Sequence, residues 1–279
     1  MGVRMMDLLT GQLDTLRYQP TAKRVRACVG GEPVVDTFEA LLVWEPRRVV
    51  PTYAVPVAAL SAQLVPAGGE SGADDEQFGV RLPAISSRPI LDPSVPFDAH
   101  SCAGTAFDVI AGEETGAAAA FQPDDPDLAD YVILEFAAFE WREEDEHVVS
   151  HPHDPFHRID VLRSSRHVRI EFDGRVLAES DRPLLLFETL LPVRFYLPRD
   201  DVAARLERSD TATYCAYKGR ASYYSIPDGP RDLAWAYQEP LHDAEPVRDR
   251  ICFFDERVDV MVDGRRRDRP ETPWSDPDR

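Results

Sequence analysis

The chain is poor in lysine: among 31 basic residues only Lys23 and Lys218 are lysines. Its four cysteines, Cys28, Cys102, Cys215 and Cys252, lie far apart with no C-x-x-C pair, which argues against a disulfide scaffold and a cysteine-built zinc centre. Neither G-x-x-x-x-G-K-[ST] nor G-x-G-x-x-G occurs, so the common phosphate-cradling loops are missing. No apolar run approaches the roughly 18–20 residues of a membrane helix. The longest, around residues 184–187, is core-sized. A basic surplus is also missing. With a net charge of −19 and acids spread along the chain, the surface repels phosphates, which disfavours nucleic acid and anionic membranes as partners. A small anion in a local basic pocket stays compatible. Met5-Met6-Asp7-Leu8-Leu9 lacks the basic-then-apolar layout of a signal peptide, and the expected location is the cytoplasm.

What is present is apolar residue in quantity, 43% of 279, enough to bury one large core or two ordinary ones. Period-two alternation and frequent turn residues dominate, so the expected class is all-β with minor helix. Two short helices are expected: one at the N-terminus carrying Leu8, Leu9, Leu13 and Leu16, the other over residues 200–206 behind an aspartate cap.

The chain also repeats itself. Pairing Val25 with Val168, 143 positions on, keeps register without a gap over some thirty residues. Arg26 meets Arg169, Gly31 meets Gly174, Leu41-Leu42 meets Leu184-Leu185, Trp44-Glu45 meets Phe187-Glu188, and Tyr53 meets Tyr196. Later, Gly104 matches Gly219 at an offset of 115, so the first copy carries an insertion, placed near 66–96 as a surface excursion rich in Gly, Ser, Pro and Asp. The expected organisation is a degenerate N-terminal repeat over 1–162, a C-terminal repeat over 163–264, and a polar tail over 265–279. Each repeat closes on an apolar-rich strand segment, 131–141 and 251–262.

The contrast between copies picks out candidate chemistry. Glu188 and Tyr196 have counterparts, whereas Arg194 falls opposite Pro51 and Lys218 opposite Ala103, with Cys215 opposite His100. Lys218 is a lysine where the chain otherwise prefers arginine, and it reads either as a ligand-anion contact that arginine does not serve or as an exposed turn lysine. Arg194 and Tyr196, two apart, share a strand face. Cys215 and Lys218, three apart, meet only if a turn re-aims the lysine, and a hairpin centred on Gly219 would set Cys215 across from Tyr223. A nearby ammonium then activates the thiol; otherwise Cys215 is a small buried hydrophobe. Arg194 with Glu188 reads equally as a structural ion pair or a substrate clamp. Trp235 and Tyr237 alternate with alanines as core or as an aromatic ligand wall, and His242 is a weak general-base candidate. Catalytic candidates are therefore Cys215, Lys218 and Glu188; ligand-binding candidates are Arg194, Tyr196, Tyr217, Tyr223 and Trp235. No cofactor is expected. His147, His151, His153 and His157 invite a metal reading, but two prolines make a stiff connector the better one, and no metal is assigned.

Residues 187–198, Cys215-Ala216-Tyr217-Lys218-Gly219, residues 234–237 and the closing 258–264 together resemble the Domain of Unknown Function 427 family. The connector 151–158, followed by 164–168, is similar to that of its two-repeat actinobacterial members. The resemblance implies a β-tent, two antiparallel sheets meeting at an angle, with Glu188, Arg194, Tyr196, Cys215, Lys218 and Trp235 lining a pocket. Ala216, Val193 and His153 depart from the family's usual proline, threonine and arginine. The resemblance carries no established activity. Two readings follow: a pocket for a small anionic or carbonyl-bearing molecule with Cys215 or Glu188 doing chemistry, or a non-catalytic sensor or structural module.

Overall fold

The computed structural model describes residues 2–68, 79–82, 85–227 and 229–275. The chain divides into two compact units, Met1–Asp154 and Pro155–Arg279. The sequence reading sets its boundary at 162. Ile159–Arg163 pairs along its length with Leu184–Glu188, so that strand goes with the second unit.

The first unit holds β1 (Arg17–Pro20), β2 (Val25–Val29), β3 (Glu32–Thr37), β4 (Leu41–Trp44), β5 (Thr52–Pro56), β6 (Gln63–Pro66), β7 (Gly104–Ala111), β8 (Glu114–Pro123), β9 (Tyr131–Leu134), β10 (Glu140–Glu143) and β11 (Glu146–Val148). The second holds β12 (Ile159–Arg163), β13 (Val168–Phe172), β14 (Arg175–Ser180), β15 (Leu184–Glu188), β16 (Arg194–Tyr196), β17 (Glu207–Cys215), β18 (Gly219–Ser225), β19 (Ala234–Pro240), β20 (Cys252–Phe253), β21 (Asp259–Val262) and β22 (Arg265–Arg266). The fold is all-β, and every strand pair within these sheets is antiparallel.

In the first unit one sheet runs β1-β4-β5-β9-β8-β7-β6 and the other β11-β10-β2-β3. In the second, β12-β15-β16 and β17-β18-β19-β20 meet through the Leu197–Ile251 bridge, beside β14-β13-β21-β22. The orders correspond strand for strand. Even irregularities recur: the β2–β3 ladder slips between Ala27 and Cys28, and the β13–β14 ladder between Ile170 and Glu171. Both hairpins turn on two residues of positive φ, Gly30-Gly31 and Asp173-Gly174, the twist that two-residue hairpins require.

Alternation sends one set of side chains to a core shared with the smaller sheet and the other to the opposite face. Val25, Leu42, Tyr53 and Trp141 belong to the first set in unit one, and Ile170, Leu185, Phe195 and Val260 in unit two. On the opposite face, Leu41, Val43, Ala54, Phe121 and Ile133 cluster in unit one, and Leu184, Leu186, Tyr196, Trp235 and Tyr237 in unit two.

Several expectations are corrected. The N-terminal helix spans only Met5–Thr10 and buries none of its residues; Leu13 lies beyond it, packed with Leu82 and Ile90. Those two come from the expected surface excursion, whose described residues 66–68, 79–82 and 85–96 thus include buried ones; residues 69–78 and 83–84 lie outside the description. Residues 200–206 form one 3-10 turn, Arg199–Asp201, because Val202 is already extended and bridges Ala178. Each closing apolar segment is two strands rather than one, since β9 and β10, like β20 and β21, lie in different sheets.

Candidate functional site

The site grows from one face of the larger sheet in unit two. Leu186 and Glu188 on β15 face the same way, as do Arg194 and Tyr196 on β16, because residues two apart share a side. Trp235 on β19 pairs with Tyr223 on β18, and Tyr237 with Ala221, which pairs in turn with Thr213 on β17. Cys215, two residues past Thr213, ends β17 opposite Gly219.

The β17–β18 hairpin is therefore centred on Ala216-Tyr217-Lys218, not on Gly219, and Tyr223 faces Trp235 rather than Cys215. Gly219 has φ +85, which a side chain would strain, and it takes the chain out of the turn beside Leu241. This turn swings Lys218 inward. Only 8% exposed, it sets its Nζ 2.5 Å from Glu188 Oε2, and its charge is close enough to interact with the Cys215 thiol. The lysine and cysteine thus come together as the turn condition required.

Glu188 binds two partners. Its Oε1 lies 3.2 Å from His157 Nε2, whose ring stacks on Tyr217 at 4.5 Å. Burial opposes the carboxylate charge, yet Lys218 and His157 together overcome it and hold the group at about 2. Burial likewise pushes the Lys218 ammonium down, but Glu188 and Cys215 outweigh it and raise the pKa. Both charges persist near neutrality. Cys215 is half-buried.

Arg194 is not the partner of Glu188. Its guanidinium makes a bidentate pair with Glu256, at 2.8 and 2.6 Å, and lies between the rings of Trp235 and Trp274 at 5.5 and 5.6 Å. Glu256 also accepts from Thr272 Oγ1 at 2.5 Å. The expected polar tail thus returns to the unit, with Thr272 buried. Sequence reasoning missed Glu256 because it sits 62 residues from Arg194 in an acid-rich chain. Asp255 lies buried beside this pair, and burial, partly offset by Arg194, raises its carboxyl to about 7.

The aromatic candidates are tied together. Trp235 Nε1 donates to the Tyr196 hydroxyl at 3.1 Å, and Phe254 packs against both Trp235 and Tyr223. Tyr223 shares a 2.8 Å hydrogen bond with Thr213 Oγ1. Tyr196 is within electrostatic reach of both Glu188 and Arg194. His242 stands apart, fully exposed and paired with Asp243. The histidine run disperses: His147 meets Arg142, His151 Nδ1 meets the Pro152 carbonyl, and His157 turns to Glu188. Among the described residues no group of three His, Cys, Asp or Glu is placed to hold a metal ion.

The first unit keeps a glutamate at the equivalent strand end. Glu45 Oε1 lies 2.9 Å from His100 Nδ1, and its Oε2 accepts from the Ser101 amide at 2.7 Å, with Cys102 Sγ at 3.7 Å. His100 stacks on Phe121 at 3.6 Å. One sequence pairing changes. Leu42 faces Tyr53 as Leu185 faces Phe195, so Tyr53 corresponds to Phe195, Ala54 to Tyr196, and Thr52, not Pro51, to Arg194. The loop before β16 is one residue shorter, and that slip sends Tyr196 to the face opposite Tyr53.

Residues 160–264 match the family model described as Domain of unknown function (DUF427). No curated protein matches the chain.

Proposed function

We propose, from the premise that the chain belongs through residues 160–264 to the Domain of unknown function (DUF427) family, that its second unit binds a small carbonyl-bearing molecule against Cys215. The reading rests on one observation: a buried, charge-held lysine turned back onto the thiol of its own hairpin. An adjacent ammonium stabilises thiolate over thiol, and thiolate is the nucleophilic form. Glu188 positions Lys218 and is too acidic to serve as a base. Its charge also neutralises the lysine, which favours a neutral or singly charged ligand over a polyanion.

The family itself supplies no reaction, and turnover is a second step beyond capture. A sensor that holds its ligand without turnover is the second reading, favoured by the fixed charges of Glu188 and Lys218, which do not exchange protons near neutrality. The same proposal takes the two units as copies of one ancestor, on the strand-for-strand correspondence of their sheets. A free half-buried Cys215 fits a reducing compartment such as the cytoplasm.

Iodoacetamide labelling resolved by peptide mass tests the capture reading. At pH 7 Cys215 should alkylate faster than free cysteine, and Lys218→Met should slow it about tenfold. A wild-type Cys215 no faster than free cysteine ends the proposal.

A further inference from the structure

Two tyrosine hydroxyls on the face that carries Cys215 are unspent. Tyr237 is 5% exposed, and among the described residues its hydroxyl makes no hydrogen bond. That oxygen is not one of the fully enclosed atoms without a partner, so it keeps a small accessible surface from which to meet a ligand. Tyr196, 1% exposed, accepts from Trp235 but donates its own proton to no described acceptor. The strand register brings Tyr237 beside Ala221 and Thr213, one step along the face from Cys215, with only the alanine methyl between strands. Its hydroxyl feels the electrostatic influence of Tyr196, Cys215, Glu188 and Tyr223.

The first unit has neither donor. There Ala106 faces Phe121 as Ala221 faces Tyr237, and Leu41 faces Ala54 as Leu184 faces Tyr196. Each packs well without the hydroxyl, so the second unit does not need these oxygens for its core.

We infer that Tyr237, assisted by Tyr196, is the oxygen-binding end of the Cys215 site, and that the ligand is an aldehyde or ketone. The Cys215 sulfur, once its proton has left to solvent, attacks the carbonyl carbon. A carbon–sulfur bond forms, the carbonyl π pair moves to oxygen, and the resulting oxyanion is held by the tyrosine hydroxyls until water protonates it. No redox change and no leaving group are involved, and the hemithioacetal reverts by the same path. Preorganised donors aimed at a developing oxyanion are the usual device for such additions. Burial keeps both tyrosines protonated, hence donors, across the accessible pH range.

The inference rests on the reading of Cys215 proposed above, and the experiment separates the two. The full chain is alkylated with iodoacetamide in increasing propanal, and the propanal concentration that halves labelling of Cys215 is measured. Each variant is scored against its own rate without aldehyde. Tyr237→Phe, which keeps the ring, should need about tenfold more propanal than wild type, the loss expected for one hydrogen bond to a charged oxygen. Tyr196→Phe, tested in parallel, should shift the same way. Equal protection in wild type and both variants overturns the role of the tyrosines while leaving a reactive Cys215 intact. Rapid labelling that propanal does not slow overturns the carbonyl ligand. Slow labelling in wild type removes the underlying reading instead.

Discussion

Glu45 follows β4 and Glu188 closes β15, yet the two glutamates are neutralised in different ways. In the first unit a histidine, a backbone amide and a cysteine share Glu45, and the histidine is pinned flat on Phe121. In the second a buried lysine takes one oxygen and His157 the other. A backbone amide is a fixed partner that any sequence supplies, whereas a buried ammonium must be chosen and then never left unpaired. Equivalent strand ends thus carry a satisfied polar contact in one unit and a committed ion pair in the other. The face around them diverges in parallel: leucine, valine, alanine and phenylalanine in the first unit, tyrosines, tryptophan and arginine in the second.

Removing each glutamate measures that difference and gives the largest effect. Glu188→Ala strands Lys218 in a dry setting and should destabilise the second unit by about 3–5 kcal/mol. Glu45→Ala leaves hydrogen-bond donors unpaired and should destabilise the first by about 1–3 kcal/mol. Urea dependence of amide hydrogen exchange, read on β15 and β4 separately, checks both values. Equal losses in the two units would break the comparison. Adding Lys218→Met to Glu188→Ala should recover much of the loss, because the unpaired charge goes with it.

Much of this arrangement is legible in the sequence, and the rest fails for identifiable reasons. Alternation and turn glycines give the strands, since each side chain's face follows from its position alone. The Cys215–Lys218 meeting depends on a turn whose centre lies two residues before the one inferred, because Gly219 marks the exit of the turn and not its middle. The Tyr53–Tyr196 match is an identity of residue type across a one-residue loop difference, so it aligns letters that face opposite ways. Arg194 and Glu256 pair across 62 residues, a separation at which no local pattern distinguishes one acid from another. His157 looks like part of a histidine run until the chain fold brings Glu188 beside it.

A second test sharpens the contrast at Arg194, which stands where the first unit has Thr52. Arg194 requires a carboxylate, and Glu256 in turn takes Thr272 from the C-terminal segment. Thr272→Val should cost about 1.5–3 kcal/mol, as expected for a hydrogen bond to a charged group. Trp274→Ala, removing one of the two rings over Arg194, should cost about 0.5–1 kcal/mol, because that tryptophan is 40% exposed. Urea midpoints at pH 7 report both. A loss for Trp274→Ala larger than for Thr272→Val would place the holding contact in the ring and not in the carboxylate network.

A small effect is also expected as a difference of sign with pH. Glu188 has its carboxyl depressed to about 2 from an ordinary 4.5, so the stability it contributes is present above about pH 4.5 and is lost as pH falls toward 2. Glu135 in the first unit is the reverse. Burial, only partly offset by the Ala137 amide, raises it to about 7, and its Oε2 lacks a hydrogen-bond partner. A raised carboxyl favours the folded state while protonated, so that contribution is present below about pH 4.5 and is lost as pH rises through about 7. Glu135→Gln should therefore leave stability unchanged at pH 4 and add about 1 kcal/mol at pH 8, well under the full linkage value because the side chain is partly exposed. Urea midpoints of wild type and variant across pH 4–8 read this directly. Parallel curves, with no gain emerging above pH 7, would mean that Glu135 ionises without penalty, and the opposition between the two carboxylates would then lie in Glu188 alone.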